Sequence, residues 1–100
     1  MINIIEGLNK AFDSRIRLGI MATLAVNEWV DFNHLKNLLH LTDGNLASHL
    51  TALEKMDYVT VSKVFVSRKP RTSYQATEAG KTAFSEHLNA MEKLIINTIK

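Results

Sequence analysis

The sequence predicts a mainly α-helical, α+β domain with one small β-hairpin near its carboxyl end. Three observations predict it. Apolar residues recur every three or four positions through about residue 56, and again from residue 78 onward. Between these stretches the pattern switches to period two, in a segment rich in valine and threonine. One hundred residues, 46% hydrophobic and 22% charged, suit a single domain over 1–100 with one modest core.

Ile4, Ile5, Leu8, Ala11 and Phe12 recur at helical spacing and predict a short amphipathic opening helix. Asp13 is the expected N-cap of a second helix over 14–27, whose buried stripe is Ile16, Ile20, Met21 and Leu24. Arg15 and Arg17 fall in its first turns. Cations there oppose the helix dipole, so an acidic neighbour or an external partner is expected. Trp29 to Phe32 reads as a short extended connection. Asp31 then caps a brief helix to about His40, with Phe32, Leu35, Leu38 and Leu39 inward. "LTDG" at 41–44 interrupts the pattern. Thr42 caps a third helix through about Met56, with Leu46, Leu50 and Leu53 as its apolar positions. Asp57 stands where this helix stops, and aspartate tolerates left-handed backbone better than most residues.

Val59, Val61 and Phe65 take one side of the next segment, with Lys63 interrupting, while Thr60, Ser62, Val64 and Val66 take the other. Tyr74 and Ala76 alternate again after "SRKPR" at 67–71, the predicted hairpin tip. Pro70, the only proline, cannot donate to a ladder and belongs in the loop or at an edge. Thr77 caps a last helix over 78–99, about 33 Å long. Its residues Phe84, Leu88, Met91, Ile95 and Thr98 are spaced four, three, four and three, with Leu94 and Ile99 widening the stripe. Such a stripe needs a partner surface, supplied in part by the opening helix and otherwise by a second chain.

The net charge of +2 is unevenly placed. No acidic residue lies between Asp57 and Glu78, a stretch that carries Lys63, Arg68, Lys69 and Arg71. Elsewhere eight basic residues face ten acidic ones. A near-neutral average therefore hides one cationic spot, the kind that attracts polyanions. No cysteine is present, which removes disulfides, thiolate zinc sites and cysteine nucleophiles. The four histidines, His34, His40, His49 and His87, include no i, i+4 pair, so no metal site is expected. The four glycines are far apart and form no phosphate loop, and no cofactor or enzymatic activity is expected. No apolar run reaches the ~20 residues that span a bilayer, and the amino terminus lacks a basic n-region. A cytoplasmic protein with no membrane partner is the expectation.

The helix pair over 31–56, joined by a short glycine-bearing turn, has the length of a helix-turn-helix. A basic hairpin over 58–77 follows it directly, and a long helix over 78–99 closes the chain. In this order they read as a winged helix-turn-helix. The chain resembles the MarR and ArsR type of winged-helix transcriptional regulators, in particular the short single-domain members. "SRIRLGIM" (14–21), "LTDGNLASHLTALEKMDYV" (41–59), "SRKPRTSYQATEAG" (67–80) and the terminal helix carry the resemblance. Asp57 replaces the family's usual glycine at the helix end, and Ala76 its usual leucine before Thr77. The resemblance implies a homodimer bound to a pseudo-palindromic operator in double-stranded DNA. From the apolar spacing of the first and last helices, the expected dimerisation residues are Ile4, Ile5, Leu8, Phe84, Leu88, Met91, Ile95 and Thr98.

The residues point the same way. With three leucines facing the core, the third helix leaves Thr42, Asp43, Gly44, Asn45, Ser48, His49 and Thr51 for contact. They are small and polar, suited to a major groove about 12 Å wide. Asn45 can pair with adenine through two bonds, and Asp43 can accept from a cytosine amino group. The hairpin adds Lys63, Ser67, Arg68, Lys69 and Arg71 for the backbone or a narrow minor groove. Arg15, Arg17 and Lys36 are secondary candidates. The alternative is a winged helix that binds an acidic protein through its basic hairpin. No residue set marks a small-molecule effector, though one could sit between the dimer helices and the DNA-binding lobe.

Overall fold

The computed structural model describes residues 5–98. A single 3-10 turn at Lys10–Phe12 leads into α1 (Arg15–Ala25), β1 (Val30–Asp31), α2 (Phe32–Leu39) and α3 (Asp43–Lys55). Then come β2 (Val59–Val66), β3 (Lys69–Ala76) and α4 (Glu78–Thr98). The result is the expected α+β winged helix, with a long last helix.

Within the described residues the opening helix is replaced by turns. Asn9 is the cause. Its backbone is extended, and its side-chain oxygen accepts from the Ala11 amide at 2.9 Å, capping a new turn instead of continuing an old one. Ala11 and Phe12 are buried as expected, whereas Ile5 is exposed. Ile4 lies outside the described residues. Ser14, not Asp13, caps α1 by accepting from the Arg17 amide at 3.4 Å. The helix ends at Ala25, two residues early. Asp31 and Thr42 cap α2 and α3, accepting from the amides of His34 and Asn45 at 2.7 and 3.2 Å. Leu38, expected inward, is 52% exposed, because Leu35 and the half-buried Leu39 already fill the inner face of this short helix.

The core joins α1 (Ile20, Met21, Leu24), Leu35 of α2 and α3 (Leu46, Leu50, Leu53) to the base of the sheet (Val30, Val59, Ala76). Phe84 of α4 enters the same core. The Phe12 ring stacks on Tyr58 at 5.8 Å and meets Phe84 edge-on at 5.7 Å. Each such pair adds about 0.5–1.5 kcal/mol beyond burial. His87 is buried beside them, and its Nδ1 accepts from the Asn9 amide at 3.0 Å. The amino-terminal segment is thus fastened to α4, although not as a helix.

The antiparallel sheet has the order β1-β3-β2. β1 touches only the base, with Val30 opposite Tyr74 and Asp31 opposite Ser73. Beyond Ser73 the hairpin projects with its β3 edge unpaired by β1. Pro70 stands in that overhang, opposite Phe65. Val66–Lys69 closes the turn, so Phe65–Pro70 is the next, non-hydrogen-bonded pair, where an amide would point away from β2. The missing N–H therefore costs the ladder nothing. The turn itself is two residues, Ser67 and Arg68, at φ 52° and 65°, shorter than the expected five-residue tip. Two left-handed residues in succession define the type I′ geometry that matches strand twist.

One joint locks α3, β2 and α4 together. Asp57 is left-handed at φ 62°, and the Tyr58 amide donates to the Leu53 carbonyl at 2.9 Å. The Thr77 amide donates to the Tyr58 carbonyl at 3.0 Å, and the Thr77 hydroxyl donates to the Asp57 carbonyl at 2.6 Å. That hydroxyl also accepts from the Gly80 amide at 2.9 Å, capping α4. Gly80 lies directly against the Tyr58 backbone, so "TEAG" is a docking device as well as a helix start.

Candidate nucleic-acid interface

α3 presents one inner and one outer face. Leu46, Leu50 and Leu53 are fully buried, while Thr42, Asp43, Gly44, Asn45, Ser48 and Thr51 are exposed. Thr42 is committed to its cap. Asp43 is paired with Lys36 at 2.9 Å, which blunts its repulsion of phosphate. Both side chains see solvent, so the pair is worth at most about 1 kcal/mol. The turn before α3 ends α2 with His40 in the left-handed region and the Leu41 amide donating to the Lys36 carbonyl at 3.0 Å.

His49 differs from its neighbours. It is half-buried, and Arg17 Nε on α1 donates to its Nδ1 at 3.1 Å. Of the acidic neighbour or external partner expected for Arg17, the first is not what its Nε meets: it finds a ring nitrogen. An arginine N–H can only donate, so Nδ1 must be bare and the ring proton on Nε2. Nitrogen NMR of His49 is expected to report that tautomer, and a ring protonated at Nδ1 would refute the contact. Periodicity alone could not reveal it, since it joins residues 32 positions apart.

The hairpin places its cations around a tip. Arg68 sits in the turn, and Lys69 and Arg71 share one face with Val66 and Val64. Lys63 shares the other face with Phe65, Pro70 and Thr72. Lys63, Ser67, Arg68, Lys69 and Arg71 are all exposed. Among the described residues none of them is in an ion pair. A left-handed arginine costs about 1–2 kcal/mol that glycine would not, so the charge at Arg68 is held against backbone preference. The face of Val59, Val61, Lys63 and Phe65 begins in the core, but exposure rises along it until Phe65 is 79% exposed. Phe65 therefore shares the face of Val59 and Val61, as its alternation predicts, but lies beyond the core. At the hairpin base Tyr74 is half-buried; burial, and secondarily the Glu54 carboxylate, push its phenol pKa up.

On α4, Leu88, Ile95 and Ile96 are exposed and Met91 is half-buried. Leu8, beside α4, is half-buried as well. Phe84 is 7% exposed and belongs to the chain's own core, so it is not part of any free stripe. The side chain of Thr98 lies outside the described residues. Among the described residues no group of three or more histidines and carboxylates could hold a metal ion. No helix of the described residues is long and apolar enough to cross a membrane.

A helix-turn-helix with a polar outer face, followed by a basic wing, defines a DNA-binding domain of the winged-helix class. The chain belongs to the family described as winged helix DNA-binding domain, which matches residues 16–95. It is 36% identical over 88 residues to an uncharacterized protein of Methanocaldococcus jannaschii, covering 88% of this chain and 96% of that one. A transcriptional regulator homologue from Pyrococcus horikoshii OT3 superposes with a TM-score of 0.79 at 33% identity, over 93% of this chain and 97% of the other. NadR, solved in complex with 4-hydroxyphenylacetate, matches with a TM-score of 0.70 at 25% identity, over 95% of this chain and 64% of its own. The family is one of DNA-binding domains and the Pyrococcus neighbour is a transcriptional regulator homologue, in line with the MarR-type resemblance.

Proposed function

We propose that the chain acts as a homodimeric, sequence-specific regulator of transcription, with α3 in the major groove and the wing tip on the backbone or adjacent minor groove. The observation that carries this reading is the pairing of two surfaces: the exposed polar face of α3 and a wing holding four cations and no acid. The helix supplies groups that read base edges and little charge. The wing supplies charge, from which most DNA affinity comes.

Affinity for duplex should fall steeply with salt, with a log–log slope of several units. A shift assay showing no retardation of genomic fragments at low salt would sink the reading and leave binding of an acidic protein in its place. Asn45→Ala should alter preference at one base pair by about 1–3 kcal/mol and leave other positions alone. Selection of bound fragments with each variant measures that change. A uniform loss across all sequences would reassign Asn45 to the backbone.

Leu88, Met91 and Ile95 form the stripe best suited to a second copy, and Ile5 and Leu8 are the amino-terminal residues that would add to it. A dimer would set two α3 helices about 34–36 Å apart, facing successive turns of a pseudo-palindrome. Sedimentation should therefore find a dimer at micromolar concentration, and Ile95→Glu should shift it toward monomer. A monomeric chain with full DNA binding would contradict this arrangement.

A further inference from the structure

The wing carries more than charge. On the DNA-binding reading above, we propose that Phe65 and Pro70 form an apolar wedge that enters the minor groove and opens a base step beneath the wing.

Phe65 and Pro70 are directly opposed across the hairpin, in a pair of the type that holds side chains closest. Both are exposed, Phe65 at 79%. The core does not reach them, because β1 ends its pairing at Ser73 and Tyr74. An aromatic ring left in water forfeits the burial that usually justifies it. Cations stand on both faces of this tip: Lys63 shares the face of the ring, Arg68 sits at the apex, and Lys69 and Arg71 project from the opposite face on either side of Pro70 in sequence. An apolar pair on a basic tip is complementary to one feature of duplex DNA. The minor groove offers phosphates along its two rims and sugar walls and base edges within. Its ~6 Å width is too narrow for a whole ribbon with side chains, so the tip must widen it. Phenylalanine and proline are among the wedges that partly unstack a step and bend the helix away. Unstacking costs least at flexible TA and CA steps. The wedge therefore adds a sequence preference, at a place where no hydrogen bond reads the bases.

The test uses duplexes drawn from selected binding sites, with 2-aminopurine at successive positions. Wild type, Phe65→Ala and Phe65→Leu are titrated at fixed salt. Wild type should raise the fluorescence of one step beneath the wing. Phe65→Ala should abolish that rise, and Phe65→Leu should keep part of it. Affinity of Phe65→Ala should fall on the order of tenfold. Its salt slope should stay as in wild type, since no phosphate contact is lost. An unchanged thermal midpoint would show that the exposed ring is not needed for folding. Phe65→Ala that keeps wild-type affinity and fluorescence overturns the wedge and leaves the DNA reading standing. Phe65→Ala that changes sedimentation but not DNA binding makes the patch a self-association surface and overturns the wedge too. Wild type that retards no duplex at low salt removes the DNA reading, and the wedge with it.

Discussion

Gly80→Ala should destabilise the chain by about 3 kcal/mol or more, as measured by urea denaturation. A Cβ at Gly80 would overlap the Tyr58 carbonyl group, with the carbonyl carbon only 2.8 Å away. That obstacle is backbone, not the free end of a side chain, so it cannot swing aside. α4 would have to back away. Doing so loosens the Thr77 bonds to Tyr58 and Asp57, each worth about 1 kcal/mol, and withdraws Phe84 and His87 from Phe12. Gly44→Ala is the contrasting variant. Nothing lies within 4 Å of its notional Cβ, so stability should hold or rise by at most about 1 kcal/mol. If both variants melt with wild type, the close approach of α4 to Tyr58 is wrong.

Arg68→Ala with Arg71→Ala should weaken DNA binding for every sequence alike and lower the salt slope by about 2. The two arginines occupy different places on the wing, one in the turn and one on β3, so each can meet its own phosphate. At low salt the combined loss should be on the order of a hundredfold, since each charge-assisted bond is worth about 1.5 kcal/mol or more. Arg68→Gly separates charge from conformation. Glycine suits φ 65° better than arginine, so this variant should gain stability while losing affinity. Unchanged affinity in the double variant, tested by titration at several salt concentrations, would take the wing out of the interface.

Much of this was legible in the sequence because the governing forces are local or periodic. The leucines of α3 show their spacing, and Thr42, Asp31 and Thr77 are strong caps wherever they precede a helical pattern. Asp57 was readable as a left-handed stop for the same reason. What stayed hidden depends on partners distant along the chain. The opening segment has helical spacing, but the Asn9 side chain competes for its own backbone, and bonds from Asn9 to His87 and Tyr58 stabilise the turn. Alternation puts Phe65 on the side of Val59 and Val61, but period two says only which face a residue takes, not whether a core lies beneath it. The short reach of β1 decides that, and two residues of strand leave little signal. Phe84 fitted a stripe at helical spacing equally well as core or as interface, and only the position of Phe12 resolves it.

The bond from Arg17 to His49 limits what α3 can offer at that position. With Nδ1 occupied, the only ring group His49 has left to offer is a hydrogen donor. It would complement the N7 of a purine, the O4 of thymine or a phosphate oxygen, and it would turn away a cytosine amino group. One turn and a half earlier, Asp43 has acceptors only. At these two positions α3 thus offers an acceptor and a donor, and a duplex read by it would have to present a donor to the first and an acceptor to the second.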